Sequence, residues 1–385
     1  MGLKNIVEKI KPTFSKGGKL GMFHSTFEAF ESFLFVPDTV AKPKGVHIHD
    51  SIDLKRTMSV VIMAVMPAML FGMWNTGYQH FLSIGATADF FDTFFYGFIK
   101  VLPLILVSYI VGLGIEFASA QIRGHEVNEG YLVTGILIPL IMPVDVPLWI
   151  LALSVIFAVV IGKEIFGGTG MNIWNPALLA RAFVFFAYPS KISGDKIWVA
   201  GLEQCQSVAD GFSGATPLAN AAINQIDKIP SSMDMFLGII PGSIGETSTL
   251  AILLGAAILI FTGIASWKIM VSTVAGALSI GLLANLVGGS AYLEFPAWQH
   301  LLMGGFAFGA VFMATDPVTS SQTETGKWIY GFLIGVVAMV IRLFNPGFPE
   351  GMMLAILLMN TFAPYIDHCV VESNIRKRMK RKSTF

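Results

Sequence analysis

The sequence predicts an all-α polytopic membrane protein of about ten transmembrane helices, arranged as two inverted five-helix repeats. Three observations predict it. Apolar residues make up 54% of the 385 positions and charged residues only 13%, about half the ~25% of a soluble domain. Mean hydropathy is +0.68, so the chain lacks the polar surface to cover a water-facing globule of this size. Apolar stretches approaching the ~20 residues that cross a ~30 Å hydrocarbon core recur along the whole chain. The same composition excludes disordered, collagen-like and coiled-coil classes.

Residues 1–56 form a basic extension holding nine of the 25 Lys and Arg residues. Within it Phe23, Phe27, Phe30 and Leu34 recur at helical spacing, with Glu28 and Glu31 off the stripe. This pattern suits an amphipathic helix in the inner interface or a stripe packed on a partner protein. The first membrane repeat is expected over 57–189, with apolar stretches near 57–78, 94–118, 131–143, 148–166 and 176–189. Stretches 131–143 and 176–189 are too short to cross alone at 1.5 Å per residue. They are expected as broken or re-entrant pieces inside the protein, since lipid does not tolerate exposed irregular backbone. A hydrophilic segment, 190–247, separates the halves. The second repeat, 248–367, has stretches near 248–265, 269–288, 298–315, 328–345 and 351–367. A basic tail, 368–385, carries six further Lys and Arg between Arg376 and Lys382.

Charge sets the expected orientation. Both basic ends are assigned to the cytoplasm, which requires an even number of crossings and puts the 190–247 segment outside. Inner loops are expected to carry Arg123, Lys163, Lys268 and Lys327, whereas Lys100 and Arg342 fall nearer the outer ends and would have to snorkel. The N-terminus has no short apolar run before a small-residue cleavage site, so no leader is expected to be removed. Similar features recur in the halves. Pro147 and Trp149 open the fourth span and Pro296 and Trp298 the eighth. A glycine-rich stretch then leads to Asn175-Pro176 in one half and Asp316-Pro317 in the other. An odd number of spans per repeat makes the repeats inverted, the layout in which broken helices meet near the midplane.

The residues exclude several chemistries. Neither a glycine-rich dinucleotide loop nor a phosphate-binding lysine motif occurs. Cys205 and Cys369 cannot by themselves ligate an iron–sulfur cluster, and no zinc spacing is present. The basic tail is a cytoplasmic flank, and no nucleic-acid partner is expected. Glu116, Glu164 and Asp316 are weak ion-pathway candidates near span ends, while Arg181, inside the fifth span, calls for an anionic partner.

The most specific signal is Asp210-Gly211-Phe212-Ser213-Gly214-Ala215-Thr216-Pro217-Leu218. Taken alone, Thr216 is a helix N-cap with Pro217 at the first helical position. The string also resembles the Asp-x-x-Ser-Gly-Ala-Thr acceptor of periplasmic flavin transferases, in which the last hydroxyl becomes a phosphoester to FMN. With Gly124-His125-Glu126-Val127-Asn128-Glu129-Gly130 and Gly170-Met171-Asn172-Ile173-Trp174-Asn175-Pro176-Ala177-Leu178, the full chain resembles the NqrB/RnfD family, and within it the B subunits of sodium-translocating NADH:quinone oxidoreductases. The RnfD subunit of the related ferredoxin:NAD complex shares the string but generally lacks so long an N-terminal extension. A small-solute channel or transporter, with the string incidental, is the reading from another class.

The resemblance implies a urea-channel-like fold in the bacterial inner membrane within a six-subunit complex. Iron–sulfur centres and FAD belong to partner subunits. Electrons would pass from FMN, esterified to Thr216 by a periplasmic flavin transferase, through non-covalent riboflavin to quinone, coupled to Na+ export. Asp210, Ser213, Gly214 and Ala215 would belong to the FMN acceptor site. Asn172 and Asn175, three apart beside Gly167-Gly168, are riboflavin contacts or caps of a broken helix. Gly124, Glu126 and Glu129 mark a quinone entrance or a solvated loop, and no Na+ ligand is singled out.

Overall fold

The computed structural model describes residues 3–15, 18, 20, 21, 24, 27, 31, 54–123, 130–202, 212–345 and 347–382. Helix α1, Leu3–Phe14, precedes the stretch in which the aromatic stripe is expected. Phe14 stacks on Phe27 at 4.9 Å between ring centroids, and Lys11 pairs with Glu31 at 2.6 Å. Phe23, Phe30 and Leu34 lie outside the described residues.

Helices α2, Leu54–Ser83, and α3, Phe90–Arg123, are 30 and 34 residues long. Each is apolar around its whole circumference, as a lipid-embedded helix must be. Pro67 and Pro103 sit within them, tolerated because neighbouring helices can satisfy the freed backbone groups. The pair packs closely because glycines line the crossing. A Cβ on Gly97 would lie 1.7 Å from the Met73 carbonyl oxygen, and one on Gly77 1.9 Å from that of Thr93. Helix α4, Tyr131–Leu140, is ten residues long and mostly buried. Tyr131 donates to the Ser108 carbonyl at 2.9 Å and seats α4 against α3. Helix α5, Leu148–Val159, runs directly into a π-helical turn, Val160–Glu164, and α6 spans Pro176–Ala187.

Two short helices, α7 (Pro217–Ala222) and α8 (Ser232–Leu237), lie in the hydrophilic segment. The second half comprises α9 (Thr249–Phe261), α10 (Trp267–Val287), α11 (Phe306–Phe308), α12 (Glu324–Phe344) and α13 (Met352–Lys382). A second π-helical turn, Gly309–Met313, continues α11. In the first half α2 packs on α3, α3 on α5 and α5 on α6, with α4 wedged against α3 and α6. In the second, α10 packs on α12 and α12 on α13, with the Gly309–Met313 turn against α10 and α13. The halves meet where α9 packs on α2 and α13 on α6.

The described residues therefore form a multi-pass helical membrane protein. Among the described residues, five helices are long and apolar enough to cross a bilayer: α2, α3, α10, α12 and α13. The stretches at 131–143, 176–189 and 248–265 are shorter apolar helices; α4 and α6 are largely buried, as their length demands. The stretch at 298–315, expected as a span, is not one continuous helix. A 3-10 turn at Gln299–Leu301, left-handed Gly304 (φ +61°), the three-residue α11 and the π turn replace it. Hydropathy registers the apolar side chains but not the glycine-directed backbone.

Two charges also depart from expectation. Lys163 is not in a solvated inner loop: it is 2% exposed in the π turn and pairs with Glu116 of α3. Arg342 does not snorkel. It is 1% exposed, and its guanidinium donates to the carbonyls of His300, Met303 and Glu350. The His300 and Met303 carbonyls are available because the 298–305 backbone is not continuous α-helix, and Glu350 lies in the turn before α13.

Candidate functional site

The acceptor string folds as its local chemistry dictates. Thr216 is the N-cap of α7, its hydroxyl accepting from the Ala219 N–H at 3.2 Å, with Pro217 at the first position. Ser213 is exposed and its hydroxyl accepts from the Ala215 N–H at 3.3 Å. Gly214 is buried where no side chain fits, since a Cβ there would meet the Asp195 carbonyl oxygen at 2.2 Å. Asp210 lies outside the described residues.

Half-buried Thr216 borders a cleft of about 250 Å³ whose other walls include Trp198, Arg181, Glu246, Thr247 and Glu350. Arg181, from α6, finds its anionic partner here: Nη1 donates to Glu246 at 2.5 Å, and Nη2 reaches Ser243 at 3.5 Å. Both charged side chains are almost wholly buried. Burial pushes the Glu246 carboxyl up from the ordinary carboxylate range, Arg181 opposes the shift and Glu350 adds to it. Glu350 accepts the Gly305 N–H at 2.7 Å. Two residues lining this cleft each have a buried polar atom without a hydrogen-bond partner, Arg181 Nε and Thr247 Oγ1. A cleft with orphaned donors beside a hydroxyl on its rim suits a planar polar ligand tethered at Thr216.

A second, tighter cleft of about 90 Å³ is bordered by Asn172, Asn175, Lys163 and Asp316. The expected amide pair is thus brought to one cavity, although not by a helix: residues 171–175 are irregular, and Asn175 is the N-cap of α6. Its Oδ1 accepts from Ala177 and Leu178 at 3.0 and 3.3 Å, and its Nδ2 donates to Asp316 at 3.4 Å. Asp316 also accepts from the Thr319 hydroxyl at 3.0 Å. The Asn-Pro and Asp-Pro steps of the two halves therefore meet across 141 residues of sequence. Asn172 donates to the Trp174 carbonyl at 3.1 Å. Gly167 and Gly168 serve the backbone rather than close approach: both have left-handed φ, +121° and +98°, with no neighbour nearer than 3.4 Å to a Cβ.

Gly124, Glu126 and Glu129 lie outside the described residues; Gly130, next in sequence, borders the second cleft. Among the weak ion-pathway candidates, the Glu164 carboxylate accepts from the Ser119 hydroxyl and forms an ion pair with Arg123 at 3.7 Å. No group of three or more His, Cys, Asp or Glu that could hold a metal occurs among the described residues. The Arg181–Glu246–Glu350 cluster was only half visible in sequence. An arginine within an apolar run demands a counter-charge, but Glu246 is 65 residues away and Glu350 further.

The family model described as the NQR2, RnfD, RnfE family matches residues 42–376. Curated relatives are similar over the whole chain. The Na(+)-translocating NADH-quinone reductase B subunit of Ectopseudomonas mendocina (strain ymp) is 48% identical, with 99% of this chain and 100% of that one covered. The protein of the same name from Chromohalobacter salexigens is 47% identical, with 100% and 98% covered. That from Azotobacter vinelandii is 46% identical, with 99% and 100% covered.

Proposed function

We propose, because this chain belongs to the NQR2, RnfD, RnfE family, that it is the membrane flavoprotein subunit of a Na+-translocating NADH:quinone oxidoreductase. On this reading FMN is esterified to Thr216 by a flavin transferase acting outside the membrane, riboflavin binds at the second cleft, and electrons continue to quinone with export of Na+. The five other subunits would supply NADH oxidation, FAD and iron–sulfur chemistry. The observation that carries the proposal is the acceptor threonine on the rim of a cleft with orphaned buried donors. The full-length identity to B subunits favours it over the RnfD subunit of the ferredoxin:NAD complex and over a solute channel. Flavin, when bound, supplies one- and two-electron chemistry. The residues position it: Thr216 anchors, Gly214 lets the acceptor loop lie against Asp195, and Arg181 and Thr247 offer unpaired donors. The test is ultraviolet fluorescence of the denatured polypeptide in a gel, followed by mass spectrometry of the peptide around Thr216. A non-fluorescent polypeptide with an unmodified peptide rejects it.

The ten-span, inverted-repeat architecture belongs to the same proposal, with both termini in the cytoplasm of a bacterial inner membrane. What supports it is the symmetry of the contacts across the halves, first helix on first and last on last, and the meeting of Asn175 with Asp316. The 190–247 segment then faces the periplasm. Lys228 is exposed there. In a Cys205→Ser, Cys369→Ser background, which removes both native thiols, Lys228→Cys is expected to react with a membrane-impermeant maleimide added to intact, outer-membrane-permeabilised cells. Reaction only after lysis of the inner membrane would overturn the orientation.

Riboflavin at the second cleft requires the ~90 Å³ space to widen, since small-molecule pockets are ordinarily ~300 Å³ or more. Asn172 is the cleaner probe, because Asn175 also caps α6. Asn172→Leu is expected to leave a flavin polar atom unpaired, costing about 1–3 kcal/mol, or roughly ten- to a hundredfold in affinity. Flavin released by acid precipitation should fall while covalent flavin stays. Stoichiometric released riboflavin would place that cofactor elsewhere.

A further inference from the structure

We infer that Arg181 is the positioning residue for the flavin on Thr216, its guanidinium holding the carbonyl-rich edge of the ring and favouring the reduced form. The inference rests on the covalent-flavin reading above and adds what the cleft does to the cofactor.

Three observations on the cleft carry it. Arg181 and Thr216 border the same space, from α6 and from the cap of α7. Arg181 is buried, with a side-chain exposure of 5%, yet its five-donor fork is under-used. One terminal nitrogen is tightly bound to Glu246, the other has only a 3.5 Å contact to Ser243, and Nε has no partner. A buried guanidinium left in that state is expensive. A flat ligand edge with closely spaced acceptors matches the fork, and the pyrimidine side of an isoalloxazine is such an edge. Thr247, whose hydroxyl is also buried and without a partner, lies on the same wall.

The charge arrangement fixes the sign of the effect. Reduction by the NADH-driven chain would add negative charge to a flavin held in this cleft, and Arg181 would stand on its wall as a buried positive charge. Removing that charge destabilises the reduced ring more than the oxidised one and lowers the potential. Glu246 and Glu350 act oppositely, so neutralising Glu246 raises it. A side chain that merely packed the cleft would not give shifts of opposite sign.

The experiment is a spectroelectrochemical titration of the purified complex. The transition absent from Thr216→Ala complex identifies the flavin concerned, and in-gel fluorescence reports its attachment. Arg181→Gln is expected to weaken the reduced form relative to the oxidised at least tenfold, a downward shift of about 59 mV or more for one electron. Glu246→Gln is expected to move the midpoint upward, and Arg181→Lys to recover part of the loss. Glu246→Gln keeps a hydrogen-bonding group opposite Arg181 and covers the case in which Arg181→Gln does not assemble. Fluorescent, flavinylated variants whose midpoints stay at the wild-type value overturn the inference. Wild-type polypeptide without covalent flavin overturns the reading beneath it instead.

Discussion

Thr216→Ala protein is expected to carry no flavin that survives denaturation, the largest effect any single substitution here should have on cofactor content. The reason is chemical: the phosphoester needs the hydroxyl oxygen, and alanine has none. The structural cost of the change is small. Thr216 Oγ1 accepts a single hydrogen bond, from the Ala219 N–H at 3.2 Å, as the cap of a six-residue helix. Losing an N-cap costs about 1 kcal/mol. Pro217 still presets the first turn, and Leu218 and Ala221 still pack into the small core that holds Met235 and Met303. The variant should therefore assemble and keep its non-covalent flavin while its band loses all ultraviolet fluorescence. Thr216→Ser preserves both hydroxyl and cap and should remain fluorescent. Full fluorescence in the alanine variant would place the attachment elsewhere and sever Thr216 from the cleft beside it.

What could be read from sequence divides along physical lines. Local rules were legible: Thr216-Pro217 announces a capped helix start, and the unbroken apolar runs of α2 and α3 announce helices that exceed a bilayer. So was the length argument that forced α4 and α6 into the interior. Burial of charge was not. Lys163 and Arg342 resemble flanking charges in a loop count, but their surroundings depend on which distant backbone or carboxylate reaches them. The break at 298–315 was hidden because apolar content is blind to a left-handed Gly304. Asn175 could be recognised as a cap or as a ligand contact. Its bond to Asp316 joins residues 141 apart and requires the tertiary fold.

The second large effect is on stability, at Lys163. This lysine and Glu116 form a salt bridge between the π turn after α5 and the C-terminal quarter of α3, with side-chain exposures of only 3% and 5%. The second carboxylate oxygen of Glu116 has no partner, and the lysine also stands 6.0 Å above the Tyr131 ring. Arg123 offers no substitute counter-charge, since it is engaged with the carbonyl and carboxylate of Glu164 at 2.7 and 3.7 Å. Lys163→Met keeps the bulk of the side chain but leaves Glu116 buried and uncompensated. Breaking a buried pair in this way costs about 3–5 kcal/mol, more than ordinary point substitutions. Replacing both partners removes the stranded charge along with the pair, and such swaps are often neutral or stabilising. Lys163→Met is therefore expected to lower the thermal midpoint of the detergent-solubilised complex markedly, followed by fluorescence-detected gel filtration after heating. Lys163→Met with Glu116→Leu should regain most of the loss. Equal melting of the single variant and the wild type would show that Glu116 finds its compensation elsewhere. A double variant no better than the single would show that packing around Tyr131, rather than charge, sets the cost.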